Sequence, residues 1–388
     1  MLFTDEMTSC TYVPLSGNKI VAAYIKNAAS RLILIDLAKD SYEDLQISLI
    51  DLNFTGIRRV SDNSFTVIGS TETTPNALYL IEVKISLQMK LLKSSTDVTI
   101  PSSFVSKPEH ISAPRLETSK GDVYETYALY NPPNNPDYVA PNGTLPPAIM
   151  LMHGGPTSLS TPGLSLVTQY WTTRGYALIQ VNYVGSSGYG RAYRDALNGR
   201  WGISDVQDAA SVAGYLVSKG YVDGDRIGII GGSSGGYVAL QALCTFPRIW
   251  AGGISCYGIS GLEILYKTTH KFEAHYMDYL LFGGTGNLDD KEKEALFHDR
   301  SPCYHADKIT APTLLLQGTD DKVVPPGQAI EMEKSIKENG GDVRLVMFEG
   351  EGHGFRKAPN VLKAKEEEDA WWIKTLVRLP KVDMEHGE

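Results

Sequence analysis

Three stretches of this sequence combine residue types that could do covalent chemistry. The first is Arg226-Ile227-Gly228-Ile229-Ile230-Gly231-Gly232-Ser233-Ser234-Gly235-Gly236-Tyr237, where an apolar run breaks into glycine and serine and resumes as Val238, Ala239, Leu240 and Ala242. A strand that turns sharply into a helix exposes a serine hydroxyl at the turn, and glycines two positions either side avoid clashes there. The amides that open the helix favour negative charge developing beside them. Two frames fit this template, Gly231-x-Ser233-x-Gly235 and Gly232-x-Ser234-x-Gly236. Spacing alone does not choose between them, and a purely structural Gly/Ser turn is the plain alternative.

A serine hydroxyl is a weak nucleophile until an imidazole takes its proton, and the imidazole needs a carboxylate to fix its tautomer. Both partners follow in the chain. Gly318-Thr319-Asp320-Asp321-Lys322-Val323-Val324-Pro325 comes directly after the apolar run Thr313 to Gln317, and Glu349-Gly350-Glu351-Gly352-His353-Gly354-Phe355 comes after Leu345 to Phe348. The order serine, acid, histidine is that of α/β-hydrolases and not of chymotrypsin or subtilisin. A fourth stretch, Met152-His153-Gly154-Gly155-Pro156, closes another apolar run with glycines whose amides can point at a tetrahedral oxyanion. The position of His153 before the glycine pair suits a structural role that orients the loop.

Other chemistries fit poorly. The loop glycines 228, 231, 232, 235 and 236 contain no pair separated by one residue, as a dinucleotide fingerprint needs, and Tyr237 stands where a P-loop needs lysine. His270 and His275 lack the spacing of a metal pair. No cofactor and no metal are expected.

These motifs need a scaffold. From Ala148 onward, short continuous apolar runs recur at Ala148 to Met152, Ala177 to Tyr183, Ile227 to Ile230, Gly253 to Tyr257, Thr313 to Gln317 and Leu345 to Phe348. Buried parallel strands read this way because helices cover both faces. Helical spacing is found over Asp205 to Lys219, Gln328 to Asn339 and Asn360 to Leu376. The first hundred residues differ. Gly17-Asn18-Lys19-Ile20 and the run after it are echoed by Asp62-Asn63-Ser64-Phe65 at an offset of 45, and Leu32 to Leu37 by Leu78 to Val83 at an offset of 46. That is the period of propeller blades, although two units cannot close a ring. Proline-rich punctuation around Pro101 to Glu109 suggests a linker. The expected division is a partial β-propeller-like segment over 1–115 and a catalytic domain over 116–388.

At 388 residues the chain can bury a large core, and 36 Lys and Arg against 45 Asp and Glu leave a net charge of -9. That sign disfavours partners whose phosphates must be neutralised, so neither nucleic acid nor a membrane surface is expected. Asp5 and Glu6 stand where a signal peptide needs positive charge followed by an apolar stretch, and no apolar run approaches a membrane span. The four cysteines, Cys10, Cys244, Cys256 and Cys303, form no CxxC pair. A reducing, cytoplasmic setting is expected.

Taken together, the motifs resemble the prolyl oligopeptidase family of serine peptidases, especially its acylaminoacyl-peptidase and dipeptidyl-peptidase-like branch. The resemblance runs from Pro108 to Leu379 through His153-Gly154-Gly155-Pro156, Gly185-Ser186-Ser187-Gly188-Tyr189-Gly190-Arg191, the serine turn, Arg300-Ser301-Pro302 and Glu351-Gly352-His353-Gly354-Phe355. It implies an α/β-hydrolase fold, a mostly parallel sheet with helices on both faces, preceded by a partial all-β, propeller-like segment. Reading the family serine as the one followed by Gly-Gly-Tyr implies Ser234 as nucleophile, with Asp321 as acid and His353 as base. The implied oxyanion donors are the amide of Gly235 and one from Gly154 or Gly155, with Gly155 preferred. Val184 departs from the family, which usually carries arginine there, a change that the resemblance implies alters a pocket wall and touches no member of the triad.

The expected function is a serine-type peptidase that hydrolyses short peptides through an acyl-enzyme, an aminopeptidase or oligopeptidase. Two alternatives stand beside it: an esterase or acyl hydrolase on small molecules, and a truncated inactive paralogue that binds a partner. The expected partner is a short peptide or small acyl substrate. A homo-oligomer is compatible with the sequence, which sets no oligomeric state.

Overall fold

The computed structural model describes residues 11–84, 86–116, 123–269, 273–284 and 288–377. The acidic start at Asp5 and Glu6, Cys10 and His270 lie outside them.

Alternating burial in the N-terminal part builds two antiparallel four-stranded meanders. The first is β1 (Tyr12–Leu15), β2 (Lys19–Lys26), β3 (Ala29–Asp36) and β4 (Ser41–Asp44). The second is β5 (Asp51–Ser61), β6 (Ser64–Ser70), β7 (Ala77–Val83) and β8 (Leu87–Ser94). Strands β2 and β6, and β3 and β7, hold equivalent places, so the echo in the sequence is one unit repeated. The period of two sets Val21, Leu32 and Leu34 on one face and Phe65, Val67, Tyr79 and Ile81 on another, and the two faces share a single apolar core. Between β2 and β3, Asn27 and Ala28 adopt φ of 51° and 64°, the two-residue turn whose twist matches that of its strands. The amide of Asn27 donates to the carbonyl of Gly188 at 3.0 Å, so this hairpin tip touches the second region.

That region is one eight-stranded sheet. It comprises β9 (Glu109–Pro114), β10 (Glu125–Asn131), β11 (Ala148–Met152), β12 (Ala177–Asn182), β13 (Ile227–Gly232), β14 (Gly252–Cys256), β15 (Thr313–Gly318) and β16 (Val343–Phe348). The order is β16-β15-β14-β13-β11-β12-β10-β9, parallel except for the antiparallel edge of β10 and β9. Six strands coincide with the apolar runs of the sequence. Successive residues feed opposite sides: Met150 and Ile229 join the core beneath the helices Ser204–Ser218 and Ser234–Thr245, whereas Ile149 and Ile230 join the core with Trp371 and Trp372 of the helix Ala358–Leu376. The strand β9 belongs to this sheet although it begins ahead of the expected division at residue 115. Val184 is fully buried, and its amide donates to Asp208, which also pairs with Arg115 at 2.7 Å. It is packed in the core.

Candidate active site

Ligand sites in sheets of this kind form at the carboxyl ends of the strands, and the singled-out residues gather there. Strand β13 ends at Gly232 and the helix begins at Ser234, which leaves Ser233 to make the turn. Its backbone sits at φ 57° and ψ −124°. A conformation so sparsely populated costs on the order of 1–3 kcal/mol and persists only where the surroundings impose it. Here they do. The Ser233 amide donates to the carbonyl of Cys256 at 3.0 Å. A Cβ on Gly231 would collide with the Gly235 backbone, and one on Gly235 with the Met152 carbonyl. The glycines on either side of Ser233 are therefore required by close approach. Ser233 itself faces the glycine loop after β11, its Cβ 3.5 Å from where a side chain on Gly154 would begin.

Ser234 is placed otherwise. It is the first helical residue, 2% exposed, with its hydroxyl sealed in the interior beside the Tyr183 phenol. This enclosed hydroxyl departs from the exposed position that the expected frame at Ser234 requires, whereas Ser233 occupies the turn itself. The amide following the turn serine is that of Ser234, not of Gly235, and amides of a first helical turn have no acceptor within their own helix. On the opposite loop Gly155 holds φ 47°, and its amide makes no hydrogen bond among the described residues. The Gly154 carbonyl instead lies 3.0 Å from His153 Nδ1.

His153 is structural, as its position suggested. Burial pushes its imidazole down to about 4, against a smaller opposing effect from the Gly154 backbone, so the ring is neutral at neutral pH. It stacks on Tyr183 with centroids 4.3 Å apart, and Nε2 lies 2.7 Å from Ser186 Oγ. The Tyr183 hydroxyl donates to the His153 carbonyl at 2.8 Å, which anchors the start of the glycine loop.

Asp321 and His353, predicted from separate motifs, are in contact: Nδ1 of His353 lies 2.8 Å from Asp321 Oδ2. The other oxygen, Oδ1, accepts from the amides of Val323 and Val324, each at 2.9 Å, and Gln317 Nε2 donates to Oδ2 at 3.2 Å. Burial raises the Asp321 carboxyl, but the bond to His353 and the two amides outweigh it and hold the group below the usual carboxylate range. An ionised Asp321 keeps the proton of His353 on Nδ1 and leaves Nε2 able to accept one.

Sequence reading missed Tyr257, which follows β14 at φ 41°. Its ring meets His353 edge-on at 5.0 Å and Phe355 at 5.4 Å, and a side chain on Gly232 would strike it. No spacing rule links these positions; only the adjacency of β13, β14 and β16 loops does. Thr157 Oγ1 and the Tyr276 hydroxyl, 2.7 Å apart, similarly tie the oxyanion loop to the helix Ala274–Phe282. Among the described residues no group of three or more His, Cys, Asp or Glu side chains is arranged to hold a metal ion.

A strained serine between strand and helix, an Asp–His pair on the following strand ends and a mostly parallel sheet define an α/β hydrolase. The chain belongs to the prolyl oligopeptidase family, Peptidase_S9, whose pattern matches residues 162–378. It is 33% identical to dipeptidyl aminopeptidase BIII of Pseudoxanthomonas mexicana over 55% of this chain and 31% of that protein. To dipeptidyl peptidase family member 6 of Caenorhabditis elegans it is 31% identical, over 55% of this chain and 29% of the relative. A puromycin-hydrolyzing peptidase of Mycobacterium tuberculosis superposes with a TM-score of 0.87 and 32% identity, over 96% of this chain and 54% of that one. The chain thus spans about half the length of that solved structure, and its matched part under a third of the two relatives compared.

Proposed function

We propose that this chain carries the catalytic part of a serine peptidase acting on short peptides, with Ser233 as nucleophile, His353 as base and Asp321 as its orienting acid. The observation that carries the reading is the strained backbone of Ser233, set between two obligatory glycines and facing the Gly154-Gly155 loop, with the Asp321–His353 pair on neighbouring strand ends. Ser233 Oγ attacks the scissile carbonyl while His353 Nε2 takes its proton. The amides of Ser234 and Gly155 receive the oxyanion. His353 then gives the proton to the departing amine, and a water activated by the same nitrogen releases the acyl group. Short peptides are proposed as substrates because the relatives named above include two dipeptidyl peptidases and a puromycin-hydrolyzing peptidase.

The division between the two regions belongs in this proposal between Ser94 and Glu109, because β9 is hydrogen-bonded into the eight-stranded sheet. A cytoplasmic setting is proposed on the free thiols of Cys244, Cys256 and Cys303.

The test is to label the purified chain with a fluorophosphonate and map the adduct by mass spectrometry. An adduct on Ser233 that is lost in Ser233→Ala and His353→Ala, and kept in Ser234→Ala, is expected. An adduct on Ser234 would restore the other frame, and turnover of p-nitrophenyl esters without any turnover of peptide anilides would end the peptidase reading.

A further inference from the structure

His353 lies between Gly352 and Gly354, and Gly354 holds φ 96°. Glycine on both sides leaves a loop many backbone states, yet the imidazole is held to Asp321 at 2.8 Å. Glu351, two residues earlier, is 3% exposed and closes this loop on itself. Its Oε2 accepts from the Arg356 amide at 3.0 Å, and its Oε1 accepts from the Lys357 amide at 2.8 Å and from Asn360 Nδ2 at 2.9 Å. The loop is also fastened to the segment that carries Asp321. The Asp320 amide donates to the Glu351 carbonyl at 2.8 Å, and the Gly350 amide to Thr319 Oγ1 at 2.8 Å.

A carboxylate that accepts three donors is stabilised in its charged form. Burial raises the Glu351 carboxyl, but Asn360 and the amides of Lys357 and Arg356 outweigh it and hold it below the usual range. The amides it serves lie just ahead of the helix Ala358–Leu376, so a plain helix-capping role would need no more than this. What capping does not account for is that the closed ring, residues 351–357, has the catalytic histidine inside it.

We propose that Glu351 is a positioning residue: by closing the 351–357 loop it keeps His353 Nδ1 on Asp321 and Nε2 directed to the serine. This rests on the reading of His353 as the base. A displaced imidazole slows proton transfer while leaving substrate binding intact, because geometry errors near 1 Å can cost about 100-fold in rate.

The experiment compares Glu351→Ala, Glu351→Gln and Asn360→Ala in the full chain. It follows fluorophosphonate acylation, kcat and KM on a peptide anilide, thermal melting, and the downfield proton NMR signal of the His353 Nδ1–H. Expected for Glu351→Ala is a fall of about 10–100-fold in acylation and kcat, KM within about twofold, and a broadened downfield signal. Glu351→Gln, which keeps one acceptor oxygen, should recover part of the rate, and Asn360→Ala should lose only a few-fold. Wild-type acylation, kcat and downfield signal in folded Glu351→Ala, with only a lower melting temperature, would overturn the proposal in favour of simple capping. Should Glu351→Ala not fold, an Asn360→Ala variant with wild-type rate and signal would overturn it equally. Absence of labelling in the wild type would instead overturn the functional reading, and the downfield signal would still report whether Glu351 holds the imidazole.

Discussion

In β6 and β7, the buried residues Phe65, Val67, Tyr79 and Ile81 alternate with the half-buried Thr66, Ile68, Leu78 and Leu80. In β13 every residue from Ile227 to Gly231 is buried, and the strand runs out in glycine where it meets the serine turn. The meanders ask of each inward side chain only that it fill space. At the carboxyl edge of the large sheet, backbone must approach backbone, and one residue must hold a conformation that side chains avoid. Two vocabularies result: alternation, which tolerates change of about the same volume, and close approach, which tolerates almost none.

That contrast can be broken or sharpened by substitution, beginning with the largest effect. Phe65→Ala empties a site with no exposure and should lower stability by about 3–5 kcal/mol in denaturant titration. Fluorophosphonate labelling per folded molecule should stay within about twofold; a large loss would mean that the meanders shape the catalytic edge directly. Gly235→Ala adds one carbon where the Met152 carbonyl stands. It should cost roughly 2–3 kcal/mol and also abolish labelling, showing that the edge cannot separate stability from chemistry.

A pH effect follows. Asp205 is fully enclosed, and its Oδ1 accepts from the Gly202 amide at 2.8 Å. Burial pushes its carboxyl up to about 7 against the pull of neighbouring backbone amides. In the unfolded chain the same group titrates near ~3.9. Between those values the folded protein holds a proton that the unfolded chain lacks, so stability falls as pH rises from about 4 to 7 and stays low above. Asp205→Asn should remove this slope, gaining on the order of 2 kcal/mol over wild type at pH 8 and much less at pH 4.5. Equal gains at both pH values would count against it.

The smallest effect is also the most pointed. Ser233→Gly removes the Cβ from a positive-φ position and should stabilise the inactive protein by about 1 kcal/mol. Destabilisation would show that the turn is not strained at that residue.

Much of the scaffold was legible because buried parallel strands are written as unbroken apolar runs. Strand β9 was not, since a half-exposed edge that includes Glu109 and His110 gives no such run, and neither was β10, which is largely buried but mixes Glu125, Thr126 and Asn131 with its apolar residues. Within the site, the order of serine, aspartate and histidine could be read, and so could the Gly154-Gly155 loop. The serine frame could not, because Gly231 to Gly236 satisfies the spacing twice and only the backbone conformation of Ser233 and the burial of Ser234 separate the two. The contacts that Tyr183, Ser186 and Tyr257 make around the site were not legible either. Their roles come from contacts between strand ends far apart in the chain, and no local pattern records those.

The hairpin tip at Asn27 bears on where such a chain could be divided. Its amide satisfies the carbonyl of Gly188, and Ile25 packs where a side chain at Gly188 would need room. Two residues away, Ser186 holds the ring of His153. Anyone excising the hydrolase half as a stand-alone reagent would leave that carbonyl bare beside the loop that orders the oxyanion glycines. The gene can be cut ahead of β9, but the folded surface has no matching seam.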